Sequence, residues 1–129
     1  MVTRPGLSKA ELEVARVVWT LGEARVREVA DALAAEGRKA DFATVQTYLR
    51  RLKTKGYLRT RREGRADVYV AAVKPGSVLR EVVGDFVKRM FGGQALPLMQ
   101  QLIDDEKLSD AEIEQLQATL EALKKRRGS

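Results

Sequence analysis

The sequence predicts a mainly α-helical fold with one small β-hairpin, laid out as three short helices, the hairpin and about three further helices. Two observations carry this. Apolar residues recur with helical spacing in six segments, most of them opened by a capping residue or closed by glycine, whereas residues 57–70 alternate apolar and polar positions about a glycine-containing turn.

The first helix opens at Leu7-Ser8-Lys9-Ala10-Glu11-Leu12, where Ser8 caps, Glu11 reaches back and Leu7 packs on Leu12. Leu12, Ala15, Val18 and Trp19 form its apolar stripe, which assigns Trp19 to the core, and Gly22 ends it. A second helix over residues 26–35 turns Val29, Ala30 and Leu33 inward before Gly37. The third covers residues 42–55, with Asp41 as N-cap and Gly56 past a basic last turn, and its inward stripe is Phe42, Val45, Leu49 and Leu52. Its opposite face carries Ala43, Gln46, Thr47, Arg50 and Thr54, flanked by Thr44 and Arg51. Residues 57–61 and 67–70 then read as two strands joined by a turn at Arg62-Glu63-Gly64-Arg65. Three helices and a hairpin make a winged helix-turn-helix, assigned to residues 1–75.

Lys74-Pro75-Gly76-Ser77 reads as a break, and residues 76–129 form a second, helical region. Its faces are Leu79, Val82, Val83, Phe86, Val87 and Met90 in one helix, Leu98, Met99, Leu102 and Ile103 in a shorter one, and Ile113, Leu116, Leu120 and Leu123 after a second capping box at Leu108-Ser109-Asp110-Ala111-Glu112-Ile113. Three helices of this size cannot bury such faces alone, so a partner subunit is expected, most simply a second copy; the alternative is a monomer whose helices fold back on the winged helix. The dimerisation residues are then Leu79, Val82, Val83, Phe86, Met90, Leu98, Leu102, Ile113, Leu116, Leu120 and Leu123.

Composition narrows the function. The 129 residues contain neither cysteine nor histidine, which removes disulfides, thiolate metal sites and the commonest general base, and no cofactor or catalytic residue is assigned. The acidic run Asp104-Asp105-Glu106 reads as solvated charge rather than a metal site. No apolar run is long enough to span a bilayer, and the opening lacks a secretory h-region, so the reading is cytoplasmic with no membrane partner. The net charge of +6 is uneven: residues 1–75 carry 16 Lys+Arg against 9 Asp+Glu, and residues 76–129 carry 8 against 9. Between Arg38 and Arg65 ten basic residues face two acidic ones, an asymmetry that suits a polyanion.

In order along the chain, Leu7-Ser8-Lys9-Ala10-Glu11-Leu12-Glu13 with Val18-Trp19, Val26-Arg27-Glu28-Val29, Thr44-Val45-Gln46-Thr47-Tyr48-Leu49-Arg50-Arg51-Leu52 with Lys55-Gly56, and Gly64-Arg65-Ala66 with Tyr69 resemble the penicillinase repressor family of BlaI/MecI/CopY-type winged-helix transcriptional regulators. The resemblance continues through Phe91-Gly92-Gly93 and Leu108-Ser109 to the last helix. It implies a dimeric repressor on palindromic operators. Some relatives are inactivated by proteolysis at an Asn-Phe bond; the matching place here is Gln101-Leu102, and the chain has no asparagine. The cysteine-rich tail of copper-responsive relatives is also absent, and Ala43 stands where relatives often carry a hydroxyl. An inducer or signalling protease, if one acts, is unidentified.

The DNA-binding residues expected are Thr44, Gln46, Thr47, Arg50, Arg51, Lys53, Arg59, Arg61, Arg62 and Arg65. Gln46 suits a bidentate pair with adenine, Arg50 or Arg51 one with guanine, and the threonines a thymine methyl or a phosphate. The remaining arginines and Lys53 suit phosphates. Thr44 has a competing reading as a helix-start cap. At the level of function the alternative is a winged-helix protein-interaction module, which would place apolar residues on the third helix or the wing.

Overall fold

The computed structural model describes residues 5–105 and 108–128. Its elements are α1 (Lys9–Leu21), β1 (Glu23–Ala24), α2 (Val26–Ala35), α3 (Phe42–Thr54), β2 (Leu58–Glu63), β3 (Ala66–Ala71), α4 (Pro75–Phe91), α5 (Ala95–Asp104) and α6 (Asp110–Gly128). The chain divides into two compact units between Glu81 and Val82, within α4. The stretch expected as a break at 74–77 is instead the start of that helix. Pro75 takes its first position, where a missing N–H breaks no helical bond, and the Lys74 carbonyl accepts from the Ser77 amide.

In the first unit α1 begins with the anticipated reciprocal cap: Glu11 N donates to Ser8 Oγ at 3.1 Å, and Ser8 N donates to Glu11 Oε1 at 2.8 Å. Its buried face is Glu11, Val14, Ala15, Val17 and Val18. Leu12 and Trp19, expected in the apolar stripe, are half-buried at the border of this face. Both are displaced from the 11-14-15-18 line by one residue, which is about 100° of rotation on a helix. The Trp19 indole N–H is buried without a hydrogen-bond partner among the described residues.

Gly22 ends α1 at φ +85°, its amide donating to the Val18 carbonyl at 2.8 Å. The chain then enters β1, a strand too short to leave a periodic signal. Ala24 pairs with Tyr69 and Glu23 with Val70, so the sheet has the order β1-β3-β2, all antiparallel. In the hairpin Glu63 lies opposite Ala66, leaving Gly64 and Arg65 alone in the turn rather than the four residues expected. Gly64 supplies the positive φ, +64°, that two-residue hairpin turns require. One face of the sheet delivers Ala24, Leu58 and Tyr69 to a core completed by Val29, Leu33, Val45, Leu49 and Leu52.

Among the described residues Glu11 is the one buried charged side chain, 2% exposed. Its Oε1 receives Lys55 Nζ at 2.7 Å, and the same ammonium donates to the Gly6 carbonyl at 2.9 Å. Tyr57 Oη donates to the Pro5 carbonyl at 2.6 Å. One ion pair thus joins the start of α1, the end of α3 and the segment before α1. Burial by itself pushes the Glu11 carboxyl up, but Lys55 and the Ser8 hydrogen bonds outweigh it and hold the carboxyl below its ordinary range.

In the second unit α6 opens on the second capping box, with Glu112 N donating to Ser109 Oγ at 3.2 Å and Ser109 N to Glu112 Oε1 at 3.0 Å. The Phe86 and Phe91 rings meet at 5.9 Å. No described residue from Val82 onward is buried. Of the eleven expected dimerisation residues, Leu79, Val83, Phe86, Met90, Leu102, Ile113, Leu116 and Leu120 are exposed in the single chain, and Val82, Leu98 and Leu123 are half-buried. Leu108, Ile113, Leu116 and Leu120 line an open apolar groove of about 500 Å³ with Ile103 and Gln117.

The buried pair predicts acid sensitivity. Folding lowers the pKa of Glu11, so the unfolded chain holds that proton more tightly; the stabilisation is complete above the unfolded value of roughly 4.3 and is lost as pH falls through the folded one. Lys55→Met leaves the buried carboxylate without its cation and should cost about 1–3 kcal/mol at neutral pH. It should also flatten the acid limb below about pH 4.3. Urea titrations of both proteins from neutral to acid pH test this; parallel limbs would show that the pair does not carry the dependence.

Candidate nucleic-acid interface

The surface of α3 is decided by its inward residues. Val45, Leu49 and Leu52 are fully buried, which fixes the rotation of the helix and turns Ala43, Thr44, Thr47, Arg50, Arg51 and Thr54 outward, with Gln46 half-buried. Asp41 caps the helix, its Oδ1 accepting from Thr44 N at 2.8 Å. Thr44 is therefore the residue capped, and its exposed side chain is not the cap. Hydrogen bonding from the Thr44 side chain first, and from its amide second, holds the Asp41 carboxyl below its ordinary range. The Thr47 hydroxyl donates to the Ala43 carbonyl at 3.0 Å, which commits its proton to the helix and leaves its methyl and lone pairs outward. The Arg51 guanidinium lies 5.5 Å from the Tyr48 ring centroid.

Phe42 departs from expectation. It is 45% exposed, and the Arg27 guanidinium lies 5.7 Å from its ring centroid. As the first residue of α3 it sits beyond the core, one turn before Val45 and toward α2. There it lines an open cleft of about 330 Å³ with Arg25, Val26 and Arg27 from the start of α2, Gln46 and Arg50 from α3, and Arg65, Ala66, Asp67 and Tyr69 from the hairpin. Four arginines meet one aspartate there. Tyr69 is nearly buried on one side of this cleft; burial pushes its phenol pKa up, the Asp67 charge adds to that, and Arg50 opposes it.

The structure thus brings together Gln46, Arg50 and Arg65 of the ten residues singled out from sequence, and it separates the other basic ones by what they already hold. Arg61 binds Glu23 at 2.7 Å and Glu63 at 3.3 Å, and Arg62 lies 3.5 Å from Asp67. The Arg61 pKa is raised by Glu23 first and Glu63 second. Arg50, Lys53, Arg59 and Arg65 make no ion pair among the described residues. Of the basic run outside the expected DNA contacts, Lys55 is held by the buried Glu11 and Arg38 pairs with Glu13 at 2.8 Å.

Sequence reading missed Arg25 and Arg27. A signal was present, since arginine at a helix start opposes the helix dipole and implies some nearby anion, internal or external. Arg25 finds an internal one in Glu63 at 3.1 Å. Among the described residues no cluster of three or more His, Cys, Asp or Glu gathers to hold a metal; Glu106 of the acidic run lies outside them. No helix among the described residues is long and apolar enough to cross a membrane.

Comparison with known proteins agrees with this geometry. The penicillinase repressor family model matches residues 7–122. The penicillinase repressor of Bacillus licheniformis is 31% identical over 123 residues, spanning 95% of each chain. The solution structure of the DNA-binding domain of the repressor BlaI superposes with a TM-score of 0.50 at 36% identity, covering 58% of this chain and 90% of that one. A MarR mutant from E. coli shares the fold at 18% identity, with a TM-score of 0.54 over 91% of this chain and 77% of its own. With a family match across most of its length and the winged helix formed as described, the chain belongs to the penicillinase repressor family of winged-helix transcriptional regulators.

Proposed function

We propose that the chain is a cytoplasmic transcriptional repressor that binds a palindromic double-stranded DNA operator as a homodimer. The observation that carries this reading is the cleft where Gln46 and Arg50 of α3 stand among Arg25, Arg27 and Arg65. A bidentate amide and a guanidinium on an exposed helix suit base edges in a major groove, and arginines around them suit the flanking phosphates. The similarity to a penicillinase repressor supports repression as the outcome.

Thr44, Thr47, Arg51 and Lys53 extend the same outward surface of α3, and Arg59, Arg61, Arg62 and Arg65 supply the wing. Residues 1–75 form the DNA-binding part and residues 76–129 the dimerisation part, with the exposed apolar faces of α4, α5 and α6 covered by a second copy. A two-fold dimer places two copies of α3 on successive half-sites, which is why a palindrome is expected. Release by an inducer or a signalling protease would need a route other than Asn-Phe cleavage, because Gln101-Leu102 stands at that place.

Gln46→Ala and Arg50→Ala should each cost about 1–3 kcal/mol on the preferred duplex and relax selectivity at one position per half-site. Selection of bound duplexes from a random pool yields the preferred sequence, and fluorescence anisotropy then compares it with a scrambled duplex. Equal losses on both would remove these residues from base readout.

The wing arginines should differ. Arg65 has no carboxylate partner among the described residues and should act through phosphate, so Arg65→Ala should make the log K against log[salt] slope shallower by about 0.9 without altering the preferred sequence. Arg62 is already paired with Asp67, and Arg62→Ala should change the slope less. Binding titrations at several salt concentrations decide it, with equal slopes in both variants counting against the distinction.

Leu116 and Leu120 are exposed in the single chain, so Leu116→Glu or Leu120→Glu should spare subunit folding and weaken association by several kcal/mol, because the carboxylate would be buried unpaired between subunits. Sedimentation velocity should show a dimer for wild type and a shift toward monomer for either variant. A wild-type monomer at micromolar concentration would defeat the homodimer.

A further inference from the structure

We propose that Glu63 is an internal stand-in for a DNA phosphate: it holds Arg25 and Arg61 in the unbound protein and yields them to the DNA backbone, so that this carboxylate sets how strongly the wing engages a duplex. The inference rests on the DNA-binding reading above and adds to it a residue of opposite charge.

Glu63 is the last residue of β2, immediately before the hairpin turn. Each of its oxygens takes one guanidinium: Oε1 receives Arg25 Nη2 at 3.1 Å and Oε2 receives Arg61 Nη2 at 3.3 Å. Arg61 uses its other terminal nitrogen, Nη1, for Glu23 Oε2 at 2.7 Å. Strand geometry explains the gathering. Arg61 and Glu63 are two residues apart and share one face of β2, and the register Arg59 to Val70 to Glu23 places Glu23 on that face as well. The result is an alternating row, Arg25, Glu63, Arg61, Glu23, that ties the wing to the start of α2.

Arg25 stands at a boundary. It lines the cleft that holds Gln46 and Arg50, and it also lines a neighbouring recess with Glu23, Glu63 and Val68. A guanidinium forks onto a carboxylate or a phosphate with the same geometry, so either can occupy it. The side chains of Arg25, Arg61, Glu23 and Glu63 are all about half exposed, and ion pairs of that exposure are weak in water. A duplex phosphate brings counterion release, which a protein carboxylate does not. Exchange toward DNA is therefore favoured once a backbone arrives, at the cost of breaking the two contacts to Glu63.

The test uses the full chain and a labelled random-sequence duplex, read by anisotropy over a range of salt. Glu63→Gln should tighten binding about fivefold to tenfold near 0.1 M salt and steepen the log K against log[salt] slope by about 0.9, the effect of one added interfacial charge. In an Arg25→Ala, Arg61→Ala background, confirmed folded by circular dichroism, the same substitution should lose most of its effect. An equal gain in both backgrounds would reduce Glu63 to bulk charge and overturn the proposal. Weaker binding by Glu63→Gln would overturn it too, by making the carboxylate a strut that shapes the wing. Wild type failing to bind any duplex would instead refute the DNA-binding reading, and this proposal with it.

Discussion

The structure of the first unit depends on the burial of Val45, Leu49 and Leu52 along one line of α3. A helix with three large apolar residues seated in a core has no rotational freedom left, because a turn of about 100° would exchange each for a polar neighbour. Everything on the far side inherits its direction from that constraint. Thr47 and Arg50 face outward, and Gln46 stands half-buried beside them, because their neighbours are held inward. The Glu11–Lys55 pair reinforces the same placement by fixing the end of α3 against the start of α1.

A second constraint acts on the wing. Its arginines suit phosphates by residue type, yet the two-residue turn and the β1-β3-β2 order bring Glu23, Glu63 and Asp67 against Arg25, Arg61 and Arg62. Formal charge and available charge are therefore different quantities here. Among the described residues Arg59 and Arg65 meet no carboxylate, whereas Arg61 has two. A wing built this way presents a graded electrostatic surface, in which a polyanion must compete with internal carboxylates for some of its contacts but not for others.

The second unit shows the opposite economy of burial. Its last helix is well started, with a reciprocal cap at Ser109 and Glu112, yet no described residue from Val82 onward is buried. Local hydrogen bonding can begin such helices, but it does not remove their apolar faces from water, and that removal is what stabilises short helices in proteins. The groove lined by Ile103, Leu108, Ile113, Leu116 and Leu120 is consistent with a fold finished by association.

The sequence by itself determined whatever is set by local chemistry. Ser8 and Glu11, Asp41, Gly22 and Gly64 each mark an element boundary through hydrogen bonds or dihedral angles within a few residues, and the stripe of α3 follows from spacing alone. Gln46 and Arg50 were legible for that reason. What only the tertiary structure decided involves residues far apart in the chain. The strand β1 exists because β3 passes beside it, Phe42 leaves the core because α2 and the hairpin open a cleft at its position, and Arg25 and Arg27 join that cleft from another helix. Lys55 looks like any other member of a basic run until Glu11, 44 residues earlier, is placed 2.7 Å away. Pattern along a chain records which face a residue occupies, whereas which charges meet depends on how those faces are brought together.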